Sequence, residues 1–420
     1  MQQLLYVCLD GLGDDPVPEL GDRTPLEAAE TPFLDALARQ GSTGTVTTVG
    51  DGIAPESDIA VFAILGYDPR EDHPGRGVVE AVGVGMDFRD GDLAYRVNFA
   101  TADGRQIIDR RVGRDLSSDE SRALAGEVND RLRIPGIGVD LQATVEHRGV
   151  LVLRADEGAL SANVTNTDPA YRKDGHLGVA LETFASEIVW CEPLDDSEEG
   201  RRAADATNTF VEGSAEILDA SDVNAVRRRA GKLPGNVVLT RDGGDRRPEL
   251  QPIADRFGAR WGCFVEMPVE RGIAILLGMA AVDAPRLVAE EDYADWAGLA
   301  ADALHGYDAL YVHIKGPDIP AHDGRAEEKR DVIALIDRAF FGEVLPRIDI
   351  GRTIVAVTAD HSTSCVRKAH TAEPVPIVVA GGGVRSDGTS AFGEREAATG
   401  SLGHMRGIDI LPRLTQVMSG

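Results

Sequence analysis

Five short apolar runs, each followed by polar residues, constrain the fold of this chain more than any other feature. They cover residues 3–9, 236–240, 309–314, 353–358 and 376–380. Helical patterns lie between the later runs, such as the one from Ala326 to Phe341. Apolar strands that alternate with helices predict a mostly parallel sheet with helices on both faces. The sequence therefore predicts an α/β fold.

The middle of the chain has a different pattern. From Leu93 to about Val226, alternating strands (93–99 and 144–153) are mixed with amphipathic helices (118–131 and about 198–218). This mixture predicts a smaller, inserted α+β domain. We therefore expect a core domain made of residues 1–85 and 235–420, and an inserted domain made of residues 86–234.

Composition excludes several classes of function. The chain has 420 residues and a net charge of −27, which argues against nucleic acid or an anionic membrane as a partner. No run of about 18 apolar residues occurs, so no membrane span is expected. The four cysteines are scattered without a CxxC spacing, which fits a reducing cytoplasm. An anionic substrate would require a local cluster of arginines or metal ions that makes the electrostatic potential at its binding site positive.

Metal-ligating residue types follow three of the apolar runs. These residues are Asp10, Asp318, His322, Asp360, His361 and His370. In an open α/β sheet the carboxyl ends of the strands form the ligand-binding edge, so residues far apart in sequence meet there. Carboxylate and imidazole together suit Mn²⁺, Zn²⁺ or a similar divalent ion. The sequence thus predicts a metal site at this edge, whereas we interpret His147, His305 and His313 as structural.

Ser57 lies between a β-rich run, residues 44–49, and an apolar helical run, residues 59–66. A serine at a helix start can be only an N-cap, and this stretch alone favours that interpretation. A helix start also offers N–H groups to a phosphate. Two metal ions about 4 Å apart would lower the pKa of a serine hydroxyl and clamp phosphoryl oxygens. The predicted metal edge therefore makes Ser57 a candidate nucleophile.

The combined motifs resemble the alkaline phosphatase superfamily and, more closely, the archaeal-type 2,3-bisphosphoglycerate-independent phosphoglycerate mutases. The matching segments are residues 10–14, 23–29, 55–58, 65–69, 75–77, 98–101, 109–114, 167–169, 312–318, 322–324, 358–362 and 374–376. They span nearly the whole chain and are specific in combination.

This resemblance implies an isomerase that interconverts 3-phosphoglycerate and 2-phosphoglycerate through a phosphoserine, without 2,3-bisphosphoglycerate. Ser57 would be the nucleophile, and Lys315 a further catalytic residue. One metal would be held by Asp10, Ser57, Asp360 and His361, and the other by Asp318, His322 and His370. Mn²⁺ is the ion most expected, with Zn²⁺ or Co²⁺ as alternatives. The small anionic substrate would be bound by Arg110, Arg111, Arg114 and Asp168 of the inserted domain, together with Arg241.

Departures from the family pattern keep alternatives open. Glu56 stands where the family usually has glycine, and Pro317 and Ala321 stand where threonine and glycine are common. One alternative is a divergent transferase, for example one that passes a phosphonoformyl-type group to phosphoglycerate in phosphonate metabolism. Another is a phosphomonoesterase. A catalytically silent binding protein conflicts with the retention of every metal position. The sequence does not indicate an oligomeric state.

Overall fold

The computed structural model describes residues 2–175, 177–181 and 183–419. The strands, in chain order, are β1 (Gln3–Leu9), β2 (Ser42–Thr47), β3 (Leu93–Asp103), β4 (Gln106–Asp109), β5 (Ile137–Ala143), β6 (Arg148–Ala155), β7 (Tyr171–Asp174), β8 (Leu177–Ala180), β9 (Val237–Gly244), β10 (Trp261–Val265), β11 (Ala280–Asp283), β12 (Ala309–Ile314), β13 (Thr353–Thr358), β14 (Ser362–Ser364), β15 (Ala369–Thr371), β16 (Val375–Gly381) and β17 (Gly403–Arg406).

The α-helices are α1 (Pro25–Ala28), α2 (Pro32–Gln40), α3 (Ser57–Ile64), α4 (Pro69–Asp72), α5 (Arg76–Gly83), α6 (Ser118–Arg131), α7 (Glu198–Asp219), α8 (Asp222–Arg229), α9 (Ile253–Phe257), α10 (Pro268–Leu277), α11 (Glu290–Ala303), α12 (Asp318–His322), α13 (Ala326–Ile336), α14 (Gly342–Val344), α15 (Glu394–Ala397) and α16 (Gly407–Ser419). A π-helical turn, Asp337–Phe341, follows α13 directly. None of the helices in the described ranges has the length and apolar character needed to cross a membrane.

The chain divides into two compact units. The large unit contains Met1–Asp72, Leu250–Glu270 and Leu277–Gly420, and the small unit contains His73–Glu249 and Arg271–Leu276. The domain boundaries expected from sequence, at 85/86 and 234/235, stay a prediction.

The large unit is built on an eight-stranded sheet with the strand order β11-β10-β12-β1-β13-β16-β2-β17. All its pairings are parallel except the two made by β16, which runs antiparallel to β13 and to β2. The central strands β12 and β13 are buried along their whole length, which is why they are apolar throughout rather than alternating. The prediction of an α/β fold with a mostly parallel sheet is confirmed.

The small unit has a five-stranded sheet in which β4, β3, β6 and β5 are neighbours and β9 also pairs with β3. The run at 236–240, which the sequence pattern assigned to the parallel sheet, forms part of β9 and lies antiparallel to β3 instead. Apolar periodicity identifies a buried strand but does not indicate which sheet it joins. The run predicted as a strand at 144–153 begins only at Arg148.

The two predicted helices of this region are observed, and they pack against the second sheet. Helix α6 begins after Ser117, which forms a reciprocal capping box with Glu120, and α7 begins after Ser197, whose hydroxyl accepts from the Gly200 N–H. Their apolar faces contribute Leu124 and Phe210 to a buried cluster that also contains strand residues.

Candidate metal centre

Three adjacent parallel strands of the large unit end at the same edge. Strand β1 lies between β12 and β13, with Leu9 opposite Ile314 and Cys8 opposite Thr358. The next residues beyond the paired segments include Asp10, Lys315 and Asp360. The sheet therefore gathers two acids and a lysine, of which Asp10 is about 300 residues away in sequence from the other two.

Gly11 makes the turn after β1 and is the residue type this position requires. Its φ is +64°, and a Cβ there would lie 2.7 Å from Thr363 Oγ1 and 2.8 Å from Asp318 Oδ1. Its N–H donates to Asp360 Oδ1 at 3.0 Å. The glycine thus lets the backbone pass between the acids that follow the strands.

The first group of metal-ligating side chains is Asp10, Asp360 and His361, all buried. His361 Nε2 lies 3.5 Å from Asp10 Oδ1 and 3.3 Å from Asp360 Oδ2. His313 Nε2 lies 3.6 Å from Asp10 Oδ2 and 3.7 Å from Asp360 Oδ2. The interpretation of His313 as a structural histidine is therefore incomplete, because its imidazole faces both acids.

A second group contains Asp318, His361 and His370. His370 Nε2 and His322 Nε2 lie 3.5 Å and 3.4 Å from Asp318 Oδ1. The other ring nitrogens are engaged by backbone carbonyls: His370 Nδ1 donates to Pro55 O at 2.8 Å and His322 Nδ1 to Lys368 O at 3.3 Å. An imidazole whose Nδ1–H is engaged in this way presents its Nε2 lone pair to a metal.

Ser57 lies beside these groups at the first turn of α3. The N-cap position is occupied by Glu56, so the interpretation of Ser57 as the cap residue does not hold. The Ser57 hydroxyl is instead 3.1 Å from His361 Nε2. Because the Pro55 carbonyl accepts a hydrogen bond from His370, the segment before the helix is connected to the second group. Ser57 is thus placed against His361, a candidate metal ligand, at the positive end of a helix.

Lys315 is held between two acids of the large unit. Its Nζ is 3.1 Å from Asp10 Oδ2 and 3.2 Å from Glu270 Oε1. Burial opposes the charge on the lysine, but the two acids outweigh it and raise the pKa of the ammonium above its usual value. Glu270 also accepts from the N–H groups of Glu266 and Met267, both at 2.9 Å. The lysine is therefore a fixed positive charge at the edge.

The cluster attracts positive charge strongly. Burial opposes the charge on His370, but Asp318 and Glu56 outweigh it and raise the pKa of the imidazole to about 10. Burial likewise opposes ionisation of Asp10, yet Lys315 and the nearby histidines hold the pKa of that carboxyl well below its usual value. The protonated His370 and Lys315 thus provide part of the positive charge that bound cations would supply.

The residues present fit one or two divalent ions. Asp10 Oδ1, Asp360 Oδ2 and His313 Nε2 are buried and have no hydrogen-bond partner among the described residues. A buried polar atom without a hydrogen-bond partner costs free energy of folding unless a ligand binds to it. The donor set of carboxylates and imidazoles suits Mn²⁺, Zn²⁺ or Co²⁺. Asp10, Asp360 and His361, with Ser57, would hold one ion, and Asp318, His322 and His370 the other.

The expected substrate-binding residues all lie in the small unit. Arg110 forms a two-pronged pair with Asp168, with Nε to Oδ1 at 2.8 Å and Nη2 to Oδ2 at 2.5 Å. The Arg241 guanidinium stacks 3.7 Å above the Tyr171 ring, and Arg110 lies 5.3 Å from the same ring. The structure thus brings Arg110, Asp168 and Arg241 together.

Arg111 and Arg114 extend this group. Arg111 is half-buried, and its pKa is lowered by burial and by the charges of Arg114, Arg110 and Arg241. Arg114 is exposed and adopts a left-handed backbone conformation with a φ of +57°. The five residues predicted for substrate binding therefore form one cationic region of the small unit.

Sequence reasoning missed further members of this cationic region. Arg96 on β3 lies opposite Arg241 on β9, and burial together with Arg241 lowers its pKa to about 9. Glu80 lies between Arg76, at 2.8 Å, and Arg96, at 3.6 Å. A charged residue inside the apolar run 93–99 was the signal that could have identified Arg96.

His313, Glu270 and Thr363 were also missed, although His313 is a polar residue in a buried strand.

Comparisons with known proteins agree on one family. Residues 38–224 match the family model described as 2,3-bisphosphoglycerate-independent phosphoglycerate mutase. The chain is 40% identical to a protein of that name from Aeropyrum pernix, over 100% of both chains. It is 37% identical to another from Methanopyrus kandleri, over 98% of this chain and 95% of the relative.

Solved structures agree with the sequence relatives. A protein from Pyrococcus horikoshii superposes with a TM-score of 0.80 at 30% identity, covering 100% of this chain and 97% of the other. The cofactor-independent phosphoglycerate mutase from Thermoplasma acidophilum gives a TM-score of 0.64 at 32% identity, covering 99% and 100%. These similarities extend through both units of the chain.

Proposed function

Because the chain belongs to the 2,3-bisphosphoglycerate-independent phosphoglycerate mutase family, we propose that it is a metal-dependent isomerase that interconverts 3-phosphoglycerate and 2-phosphoglycerate. One observation carries the proposal: the Ser57 hydroxyl lies 3.1 Å from His361 Nε2, beside two groups of metal-ligating residues. We further propose Mn²⁺ as the ion, no requirement for 2,3-bisphosphoglycerate, and a glycolytic role in the cytoplasm.

Ser57 is the nucleophile in this proposal. Its hydroxyl gives up a proton as its oxygen bonds to phosphorus, and the C3 oxygen of glycerate leaves and takes a proton. In the second half, the C2 hydroxyl of the same glycerate gives up a proton as its oxygen bonds to phosphorus, and the Ser57 oxygen leaves phosphorus and takes a proton. Bound divalent ions would lower the pKa of the serine hydroxyl and neutralise the phosphoryl oxygens.

Side chains and backbone groups of the protein would bind the substrate and stabilise the developing charge. The first turn of α3 offers its N–H groups and its positive end to the phosphoryl group on Ser57. Lys315, fixed between Asp10 and Glu270, would add positive charge where negative charge develops. Arg110, Arg111, Arg114 and Arg241 would bind the carboxylate and hydroxyls of glycerate, with Asp168 orienting Arg110.

A coupled assay tests the proposal. The Mn²⁺-loaded protein is incubated with 3-phosphoglycerate in the absence of 2,3-bisphosphoglycerate, enolase reports 2-phosphoglycerate, and free phosphate is measured in parallel. We expect 2-phosphoglycerate without stoichiometric phosphate release. Release of phosphate without 2-phosphoglycerate would identify a phosphomonoesterase instead. The transferase alternative is not favoured by the full-length relatives, which carry the mutase name.

A further inference from the structure

Thr363 is a fully buried residue that contacts ligands from both groups of the candidate metal centre. Its Oγ1 lies 2.7 Å from Asp318 Oδ1 and 3.0 Å from His361 Nδ1. It lies in β14, two residues after His361 and directly opposite His370 in β15. A single hydroxyl therefore connects a residue of the first group with a residue of the second.

The hydrogen bonds of this hydroxyl determine where the protons lie. A carboxylate only accepts, so the one proton of Thr363 Oγ1 is donated to Asp318. The contact with His361 must then be a bond in which Nδ1–H donates to the threonine oxygen. In the neutral ring, Nδ1 therefore carries the proton and Nε2 carries the lone pair. That nitrogen faces Ser57 Oγ, Asp360 Oδ2 and Asp10 Oδ1 at 3.1, 3.3 and 3.5 Å.

The position of Thr363 is fixed from several sides. Its N–H donates to Gly13 O at 2.9 Å, and its carbonyl accepts from Lys329 Nζ at 2.8 Å. Lys329 is fully buried and also donates to Asp14 Oδ2 at 2.9 Å. On the other side, a Cβ on Gly11 would come within 2.7 Å of Thr363 Oγ1. The hydroxyl thus has little freedom to turn to other partners.

We propose that Thr363 is a positioning residue that holds His361 in the Nδ1–H tautomer and couples the two metal sites. The inference rests on the metal binding of the proposed function. The opposite tautomer would direct an N–H at the acids and remove the lone pair that a metal needs. Through the same hydroxyl, Asp318 is held in the orientation in which Oδ1 faces His322 and His370.

Substitutions separate the hydroxyl from the shape of the side chain. Thr363→Val removes the hydroxyl at nearly constant volume, and we expect both sites to bind Mn²⁺ about 10- to 100-fold more weakly. Thr363→Ser keeps the hydroxyl and should stay within about threefold of the unmodified protein. Thr371→Val makes the same change in β15, outside the hydroxyl bridge, and is the matched control.

Two substrate-free measurements test the proposal. Electron paramagnetic resonance of free Mn²⁺ gives the dissociation constants of each variant. The ¹⁵N chemical shifts of His361 in the metal-free protein report its tautomer, and we expect Nδ1–H in the unmodified protein and a mixture in Thr363→Val. The tautomer of the unmodified protein tests the proposal even where a variant fails to fold.

The outcomes distinguish this inference from the proposed function. Equal Mn²⁺ affinities for Thr363→Val, Thr371→Val and the unmodified protein would overturn the role of Thr363 and leave the mutase proposal standing. An Nε2–H tautomer in the unmodified protein would do the same. An unmodified protein that binds no Mn²⁺ would overturn both. Metal binding without mutase activity would count against the function alone.

Discussion

The candidate metal centre of the large unit and the cationic region of the small unit concentrate opposite charges in the same way. The metal centre gathers carboxylates around His361 with one lysine, and the pKa of His370 rises to about 10 as a result. The cationic region gathers arginines with few acids, and the pKa of Arg96 falls to about 9. Each region has an excess of the charge opposite to that of its expected ligand, which is a cation in one case and an anion in the other.

This comparison resolves the problem set by a net charge of −27. An overall negative charge does not prevent binding of an anionic substrate when arginines are concentrated locally. Arg241 and Arg96 face each other across neighbouring strands, and Asp168, Asp242 and Glu80 are the close acidic partners that pair with Arg110, Arg241 and Arg96. Local arrangement of charge, rather than the total, determines which ligands a surface binds.

The largest effect should come from removing the nucleophile while leaving both charge clusters intact. Ser57→Ala should lower mutase activity by on the order of 10⁴-fold or more, because no other group can carry the phosphoryl. Intact-protein mass spectrometry after an acid quench should detect a phosphoenzyme only when Ser57 is present. Ser386→Ala, an exposed serine of the same unit, is the control. Full activity of Ser57→Ala would contradict the mechanism.

Neutralising one acid of the metal centre should have the next largest effect. Asp360→Asn keeps an oxygen for the Gly11 N–H but replaces the buried Oδ2, so Mn²⁺ should bind at least about 100-fold more weakly. The metal-free protein should not lose stability, because like charges are reduced. Calorimetric titration and thermal unfolding measure the two quantities. Asp331→Asn, an exposed acid paired with Arg330, should change neither. Unchanged Mn²⁺ affinity would show that Asp360 is not a ligand.

Weakening the cationic region should change substrate binding and leave the metal centre unaffected. Arg241→Lys removes the planar guanidinium that stacks on Tyr171, and KM should rise about 10- to 100-fold with little change in kcat. Steady-state kinetics and the Mn²⁺ affinity should be measured together. Arg105→Lys alters an exposed arginine that stacks on Trp190 in the same unit and serves as the control. An unchanged KM would remove Arg241 from the substrate site.

The smallest effect concerns Glu394, a half-buried acid that lies outside both clusters. Burial raises the pKa of Glu394 from 4.5 to about 7, although its Oε2 accepts from Thr24 Oγ1 at 2.6 Å. Because the folded pKa is the higher one, the stability linked to this group is present below pH 4.5 and is lost as the pH rises to about 7.

Glu394→Gln should therefore stabilise the protein at pH 8 relative to pH 5. The gain should be about 1–2 kcal/mol, which is less than the pKa shift alone implies because the residue is partly exposed. Urea unfolding at the two pH values measures it, with Glu396→Gln, an exposed neighbour, as the control. A pH dependence identical to that of the unmodified protein would contradict the burial of this charge.

Sequence alone determined the α/β class, the metal-ligand candidates and the nucleophile candidate. Apolar runs that end in Asp10 and Asp360-His361 predict strands that meet at one edge, because parallel strands must place their carboxyl ends together. The helix at 118–131 was predicted at its observed bounds, since its periodicity and capping residues are local features. Features that depend only on a segment and its immediate neighbours can therefore be predicted from the sequence alone.

Only the tertiary structure decided the contacts that depend on strand pairing and side-chain direction. It placed β9 next to β3, which brings Arg241 opposite Arg96. It turned His313 toward Asp10 and Asp360, and it set Thr363 between Asp318 and His361. These contacts join residues distant in the chain or require a particular rotamer. No periodicity encodes them, because they arise from three-dimensional packing and from the need to pair every buried polar group.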